Sequence, residues 1–172
     1  MSTINKVCVI GAGVMGAGIA AHCANAGHDV LLLDIVPNGA ENRNAIAEGA
    51  IKKLIKSNPA ALTHKRNAKR ITPGNIEDHM DMIGDCDWIV EAVIERLDIK
   101  QDLYKKIDAV RKSGSIVSSN TSTIPLDNLV AGMSDAFAAD FCITHFFNPP
   151  RYMRLLEVVK GEKTSQSVID TV

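Results

Sequence analysis

The chain has 172 residues, 46% of them hydrophobic and 23% charged, with a net charge of −1 at pH 7. That is enough for one α/β domain with a substantial core, and the near-neutral balance gives no electrostatic case for nucleic acid or an anionic membrane as partner. Its apolar stretches are strand-sized and broken by Asp, His or Gly, so none offers the roughly 20 residues that a membrane-spanning helix needs.

Met1 to Lys6 leads almost directly into the first strand and carries no secretory pattern, so a cytoplasmic protein is expected. The run Val7-Cys8-Val9-Ile10 is apolar and rich in β-branched residues. It is followed by Gly11-Ala12-Gly13-Val14-Met15-Gly16, by Ile19, Ala20, Cys23 and Ala24 at helical spacing, and by Val30-Leu31-Leu32-Leu33-Asp34. Strand, glycine turn, helix and a second strand ending in an acid make an adenine-dinucleotide half-site. Gly11 is expected to let the chain leave the strand in a tight turn. Gly13 removes a side chain where a pyrophosphate approaches backbone, and Gly16 lets the helix pack close to the strand. The free N–H groups at the helix start then face the phosphates. Asp34 can accept hydrogen bonds from ribose hydroxyls and repels a 2′-phosphate, and Ile35-Val36-Pro37-Asn38 carries no cation, so NAD is expected rather than NADP.

Beyond this half-site, Gly39 to Lys56 shows a helical apolar stripe, and Asn58 to Lys69 reads as a second, basic helical stretch ended by Ile71-Thr72-Pro73-Gly74. Together they predict a helical hairpin inserted after the second strand. Lys52, Lys53, Lys56, Lys65, Arg66, Lys69 and Arg70 cluster there, either as a solvated face or as a site for the phosphates of a nucleotide-tailed substrate. A strand over Asp87 to Val93, a helix over Asp98 to Lys112, and strands at Ser115–Ser119, Phe141–His145 and Leu155–Val159 complete the pattern. The alternation predicts a Rossmann-type, doubly wound, mostly parallel sheet, with room for the later strands to depart from parallel order. Thr164 to Ser167 looks like a helix start whose helix stops within its second turn, so an N-terminal fragment of a longer protein is expected. Cys8, Cys23, Cys86 and Cys142 lack C-x-x-C spacing and sit in apolar or helical contexts, which favours buried reduced thiols over disulfides or zinc. The five histidines show no metal-ligand spacing either.

Ligands of open α/β sheets gather at the carboxyl ends of the strands. Glu91 with Glu95, Asn120-Thr121-Ser122-Thr123 and His145-Phe146-Phe147-Asn148-Pro149 are expected there, with Glu157 inside or at the end of the last strand. His145 is the candidate general base, because imidazole titrates near neutral pH and can take the proton that alcohol oxidation releases. Glu157 can accept from its other ring nitrogen and so fix tautomer and orientation. Asn120 to Thr123 can cap a helix or turn, and Ser122 can at the same time point its hydroxyl at a substrate oxygen.

The glycine loop, the Val90-Glu91-Ala92 strand end, Ser119-Asn120-Thr121-Ser122 and His145-Phe146-Phe147-Asn148-Pro149, in this order, resemble the NAD-binding domain of L-3-hydroxyacyl-CoA dehydrogenases over nearly the whole chain. By that resemblance His145 takes the 3-hydroxyl proton, Glu157 pairs with it, and Ser122 hydrogen-bonds the substrate oxygen. Asp34 holds the adenosine ribose, Glu95 and Lys100 match positions on the nicotinamide side, and Gly11, Gly13, Val14, Met15, Gly16 and Asn120 complete the expected NAD-binding set. The implied reaction oxidises an L-3-hydroxyacyl-CoA to the 3-ketoacyl-CoA, a step of fatty-acid β-oxidation. The resemblance further implies a helical C-terminal domain, outside residues 1–172, that supplies an asparagine, the dimer contact and half of the acyl-CoA cleft. Asn148-Pro149-Pro150-Arg151-Tyr152 is similar to the bacterial multifunctional enzymes that fuse a hydratase domain. The family's coenzyme A contacts do not map cleanly, since Ala50 and Ser57 stand in the matching places, and Lys52, Lys53 or Lys56 are the candidate substitutes. A related dehydrogenase of a free hydroxy acid or sugar acid, or an NAD-binding module without turnover, are the competing readings.

Overall fold

The computed structural model describes residues 3–172. Seven strands form one sheet in the order β3-β2-β1-β4-β5-β6-β7, where β1 is Lys6–Ile10, β2 Asp29–Asp34, β3 Ile71–Asn75, β4 Trp88–Glu91, β5 Ile116–Ser119, β6 Phe141–Phe146 and β7 Leu156–Lys160. The first six are parallel, and β7 returns antiparallel to β6. This is the doubly wound α/β class that the alternation of elements predicts.

The central strands are buried on both faces, so they read as continuous apolar runs. In β1, Val7 and Val9 enter one core, while Cys8 and Ile10 enter the other. On the first face the sheet is covered by α1 (Val14–Ala26), α2 (Ala45–Lys56) and, through Val168, α6 (Gln166–Thr171). On the second, α3 (Leu97–Val110) brings Leu103, Tyr104 and Ile107 against Ile89, Leu33 and Phe141, with α4 (Leu126–Leu129) and α5 (Asp135–Ala139) beside it. Burying a side chain such as Ile89 or Leu32 contributes on the order of 2 kcal/mol. Tyr104, Phe137 and Phe141 pack ring against ring at centroid distances of 5.2 to 5.8 Å.

Two expectations change. Ile71-Thr72-Pro73-Gly74 ends the basic stretch, yet it is also the edge strand β3, paired to β2 from Val30↔Ile71 to Asp34↔Asn75. An edge strand tolerates proline and glycine that a central strand would not. The second arm of the expected hairpin is not an α-helix. Residues 58–64 form no helix and are followed by a 3-10 helix at Lys65–Arg70, so the insertion consists of α2, an irregular segment and this short 3-10 helix. Asn25 of α1 holds that segment through Ala61 O, Thr63 and Asn67, which replaces helical hydrogen bonds with side-chain ones. The four cysteines are free and buried, and among the described residues no helix is long and apolar enough to cross a membrane.

Candidate active site

The glycine loop leaves β1 at Gly11, whose φ of +104° and amide bond to Leu33 O (2.8 Å) make the turn. A Cβ at Gly11 would lie 2.4 Å from Ala92 O, and one at Gly16 would lie 1.7 Å from Gly11 O, so both glycines are required by close packing. Gly13 differs. Its Cβ would meet nothing within 4 Å, so the space beside it is open for a ligand to approach backbone. Gly13 precedes α1 without any side-chain cap, and the helix starts at Val14, exposed, and Met15, which packs partly on the core. The first amides of a 13-residue helix therefore point outward beside an open glycine, which suits a pyrophosphate. Asp34 closes the far side. Its Oδ2 accepts from the Ala12 amide and its Oδ1 from the Ile35 amide at 2.7 Å.

Between Gly11, Asp34 and Ile35 on one side and Ala92 to Ile94 on the other lies a cleft of about 530 Å³. Ile99 and Leu103 of α3 give it an apolar wall, and Asp102 and Lys106 stand among its lining residues. An apolar slot flanked by a carboxylate, an open glycine and a free helix start fits the adenosine and pyrophosphate of NAD. Ile99, Leu103 and Lys106 carried no motif in the sequence; only the packing of α3 beside β4 puts them here.

At the carboxyl end of β4 the chain builds a buried polar cluster. Glu91 Oε1 accepts from Lys100 Nζ (2.7 Å) and the Val93 amide (2.8 Å), and Oε2 accepts from Tyr104 Oη (2.7 Å) and Ser119 Oγ (2.6 Å). Lys100 Nζ also meets Glu95 Oε2 at 3.2 Å, and Lys100 is only 1% exposed. Glu95 in turn accepts from the hydroxyls of Thr121 and Thr123. Burial works against the Glu95 charge, but the Thr121 hydrogen bond and the Lys100 ammonium outweigh it and hold the carboxyl below its usual range. Burial, with the Glu91 charge next to it, pushes the Tyr104 phenol well up, which keeps it a proton donor. Thr121 Oγ1 also accepts from the Thr123 and Ile124 amides, so this residue performs the turn-capping role expected of the segment.

The third group lies on β6 and β7. His145 and Glu157 face each other directly in the antiparallel register, with Nδ1 to Oε2 at 2.9 Å. The Phe147 ring lies 4.7 Å from the imidazole, centroid to centroid. Asn120 ties the neighbouring strand ends together. Its amide donates to Glu91 O (2.8 Å), and its Oδ1 accepts from the Phe146 amide (2.9 Å). Ser122 is exposed on the same loop, and among the described residues no hydrogen bond joins it to His145.

The loop after His145 reaches two other parts of the molecule. A Cβ at Gly18 of α1 would lie 2.9 Å from Pro150 Cδ, so this glycine gives the loop its seat. Arg151 donates to Ala60 O and Leu62 O, and Tyr152 Oη to Ala60 O at 2.9 Å, which fastens the loop to the insertion. Lys52, Lys53, Lys56, Lys65, Arg66, Lys69 and Arg70 are exposed on that insertion, with Arg70 paired to Asp29 at 3.1 Å.

Sheet order, glycine loop and strand-end carboxylate define a dinucleotide-binding domain of the dehydrogenase type. The family profile described as "3-hydroxyacyl-CoA dehydrogenase, NAD binding domain" matches residues 6–172, and the chain belongs to that family. A Deinococcus radiodurans protein named a probable 3-hydroxyacyl-CoA dehydrogenase is 48% identical over 96% of this chain and 48% of its own length. A Rickettsia felis protein, provisionally named a fatty acid oxidation complex trifunctional enzyme, is 46% identical over 98% of this chain and 24% of its own. The crystal structure of 3-hydroxybutyryl-CoA dehydrogenase from Escherichia coli K12 superposes with a TM-score of 0.82 at 30% identity, covering 98% of this chain and 35% of that one. The chain thus spans about half of the length of the first of these two curated relatives and about a quarter of the second.

Proposed function

We propose that this chain is the cofactor-holding part of an enzyme that oxidises an L-3-hydroxyacyl-CoA to the 3-ketoacyl-CoA with NAD+ in fatty-acid β-oxidation. The observation that carries the reading is the His145–Glu157 pair, set at the strand ends that follow the glycine loop in the sheet. When bound, NAD+ supplies the acceptor for the hydride that leaves C3 of the substrate. With Nδ1–H donated to Glu157, the lone pair of His145 is on Nε2, and that nitrogen takes the 3-hydroxyl proton. Ser122 hydrogen-bonds the same substrate oxygen. Gly11, Gly13, Val14, Met15, Gly16 and Asp34 hold the adenosine and pyrophosphate. Glu95 and Asn120 serve the nicotinamide side, with Lys100 acting there through Glu95.

The cations of the insertion, Lys52, Lys53 and Lys56 foremost, are assigned to the coenzyme A phosphates, supported by their exposure on one helix. A helical C-terminal domain, which the relatives' greater length leaves room for, completes the acyl-CoA cleft and makes the dimer contact. Four buried free thiols fit a reducing cytoplasm. The test is an initial-rate assay of the full protein with NAD+, comparing L-3-hydroxybutyryl-CoA with free 3-hydroxybutyrate. Turnover of the thioester alone supports the reading. Equal turnover of the free acid overturns the substrate class.

A further inference from the structure

We propose that Glu91 is a positioning residue for the cofactor site: its buried carboxylate fixes Lys100 and, through Lys100, sets Glu95, the carboxylate assigned above to the nicotinamide side. This inference rests on the reading of the cleft as an NAD site. Glu91 closes β4, is fully buried, and pairs in register with Ile10 of β1 and Ser119 of β5. Its backbone carbonyl also receives the Asn120 amide. Four donors satisfy the carboxylate, two on each oxygen, so it has no freedom to rotate. Tyr104, one of those donors, is itself wedged against Phe137 and Phe141.

The cluster has a direction. It runs from Glu91 in the interior to Lys100, then to Glu95, whose side chain is 40% exposed, and ends on Thr121 and Thr123, on either side of Ser122. Lys100 is 1% exposed and its ammonium is engaged by both Glu91 and Glu95, so what it passes to the surface passes through Glu95. Two carboxylates and one ammonium carry a formal charge of −1, and Glu95 is the member at the surface. A buried ion pair adds little to stability compared with an apolar replacement of similar size, because desolvation cancels most of the attraction. What such a pair does supply is fixed geometry for the groups it touches.

The test is calorimetric titration of NADH into the full protein, with melting temperature measured alongside, for wild type, Glu91→Gln, and the Glu91→Gln/Lys100→Met double variant. Glu91→Gln puts an amide NH2 against hydrogen-bond donors and lowers both stability and NADH affinity, the latter by about tenfold or more. The double variant removes both buried charges and recovers melting temperature, while Glu95 stays unanchored and affinity stays about tenfold weak or more. A purely structural role makes affinity recover with melting temperature, and that result overturns the proposal, as does unchanged affinity in Glu91→Gln. The surface variant Glu95→Gln provides a check that does not depend on the core folding: unchanged NADH affinity there overturns the proposal too. If wild type binds no NADH, the cofactor reading itself falls and takes this inference with it.

Discussion

His145 of β6 and Glu157 of β7 are direct cross-strand partners, and their side chains meet at 2.9 Å between Nδ1 and Oε2. The antiparallel return of β7 makes this pairing, since it brings a residue twelve positions downstream back beside the histidine. In the full protein His145→Ala is expected to lower kcat by about 10² to 10⁴ while leaving NADH affinity unchanged. Glu157→Gln keeps the shape but weakens the hold on the imidazole, and lowers kcat by about 10². Stopped-flow turnover and NADH titration read both, and retained turnover in His145→Ala removes the histidine from its role.

Gly13 and Gly16 separate binding from folding. A methyl group at Gly16 collides with Gly11 O, so Gly16→Ala is expected to lower melting temperature and NADH affinity together. A methyl group at Gly13 meets no protein atom, and its φ of −68° suits alanine. Gly13→Ala should therefore keep its melting temperature and, if the pyrophosphate approaches here as proposed, lose about tenfold or more in NADH affinity.

On the proposed reading, Asp34 sets the choice between the two nicotinamide dinucleotides. Replacing it with Ala removes the ribose acceptor and the charge that repels a 2′-phosphate. The ratio of NADPH to NADH dissociation constants is expected to fall by about tenfold or more in Asp34→Ala. Some NADH affinity is lost as well, since the Ala12 amide loses its partner.

His22 of α1 gives an acid-side signature. Its Nδ1 is buried without a partner and its ring meets Phe146 edge-on at 6.4 Å, so burial lowers its pKa from 6.5. The unfolded chain then takes the proton more readily than the folded one. Stability from this residue is intact above about pH 6.5 and is lost as pH falls below that value toward the folded pKa. Melting curves between about pH 7 and pH 5 should fall more steeply for wild type than for His22→Leu; identical slopes would remove this explanation.

The half-site was legible because buried parallel strands are written as unbroken apolar runs, and the glycines and Asp34 stand at fixed distances from them. His145 was legible as a polar residue at the end of a strand; Glu157 instead stands at the amino end of β7 and reaches His145 because β7 runs antiparallel. β3 was not, because an edge strand that carries Pro73 and Gly74 looks like a loop. Lys65–Arg70 lost its expected α-helix because its neighbours are held by Asn25 instead of by helical hydrogen bonds. α4 and α5, with four and five residues, are too short for a periodic signal. Glu91 showed only as a polar strand end. Its partners Lys100, Tyr104 and Ser119 come from α3 and β5, so the cluster exists only in three dimensions. Gly18 was hidden for the same reason, because the residue that needs its missing side chain is Pro150.

The most direct test of the central claim is a calorimetric titration of NADH, with NADPH as comparator, into the protein. Saturable NADH binding at one site, about tenfold or more tighter than NADPH, is the expected result. A folded protein that binds neither, or binds both equally, contradicts the reading of the glycine loop and Asp34 as an NAD site.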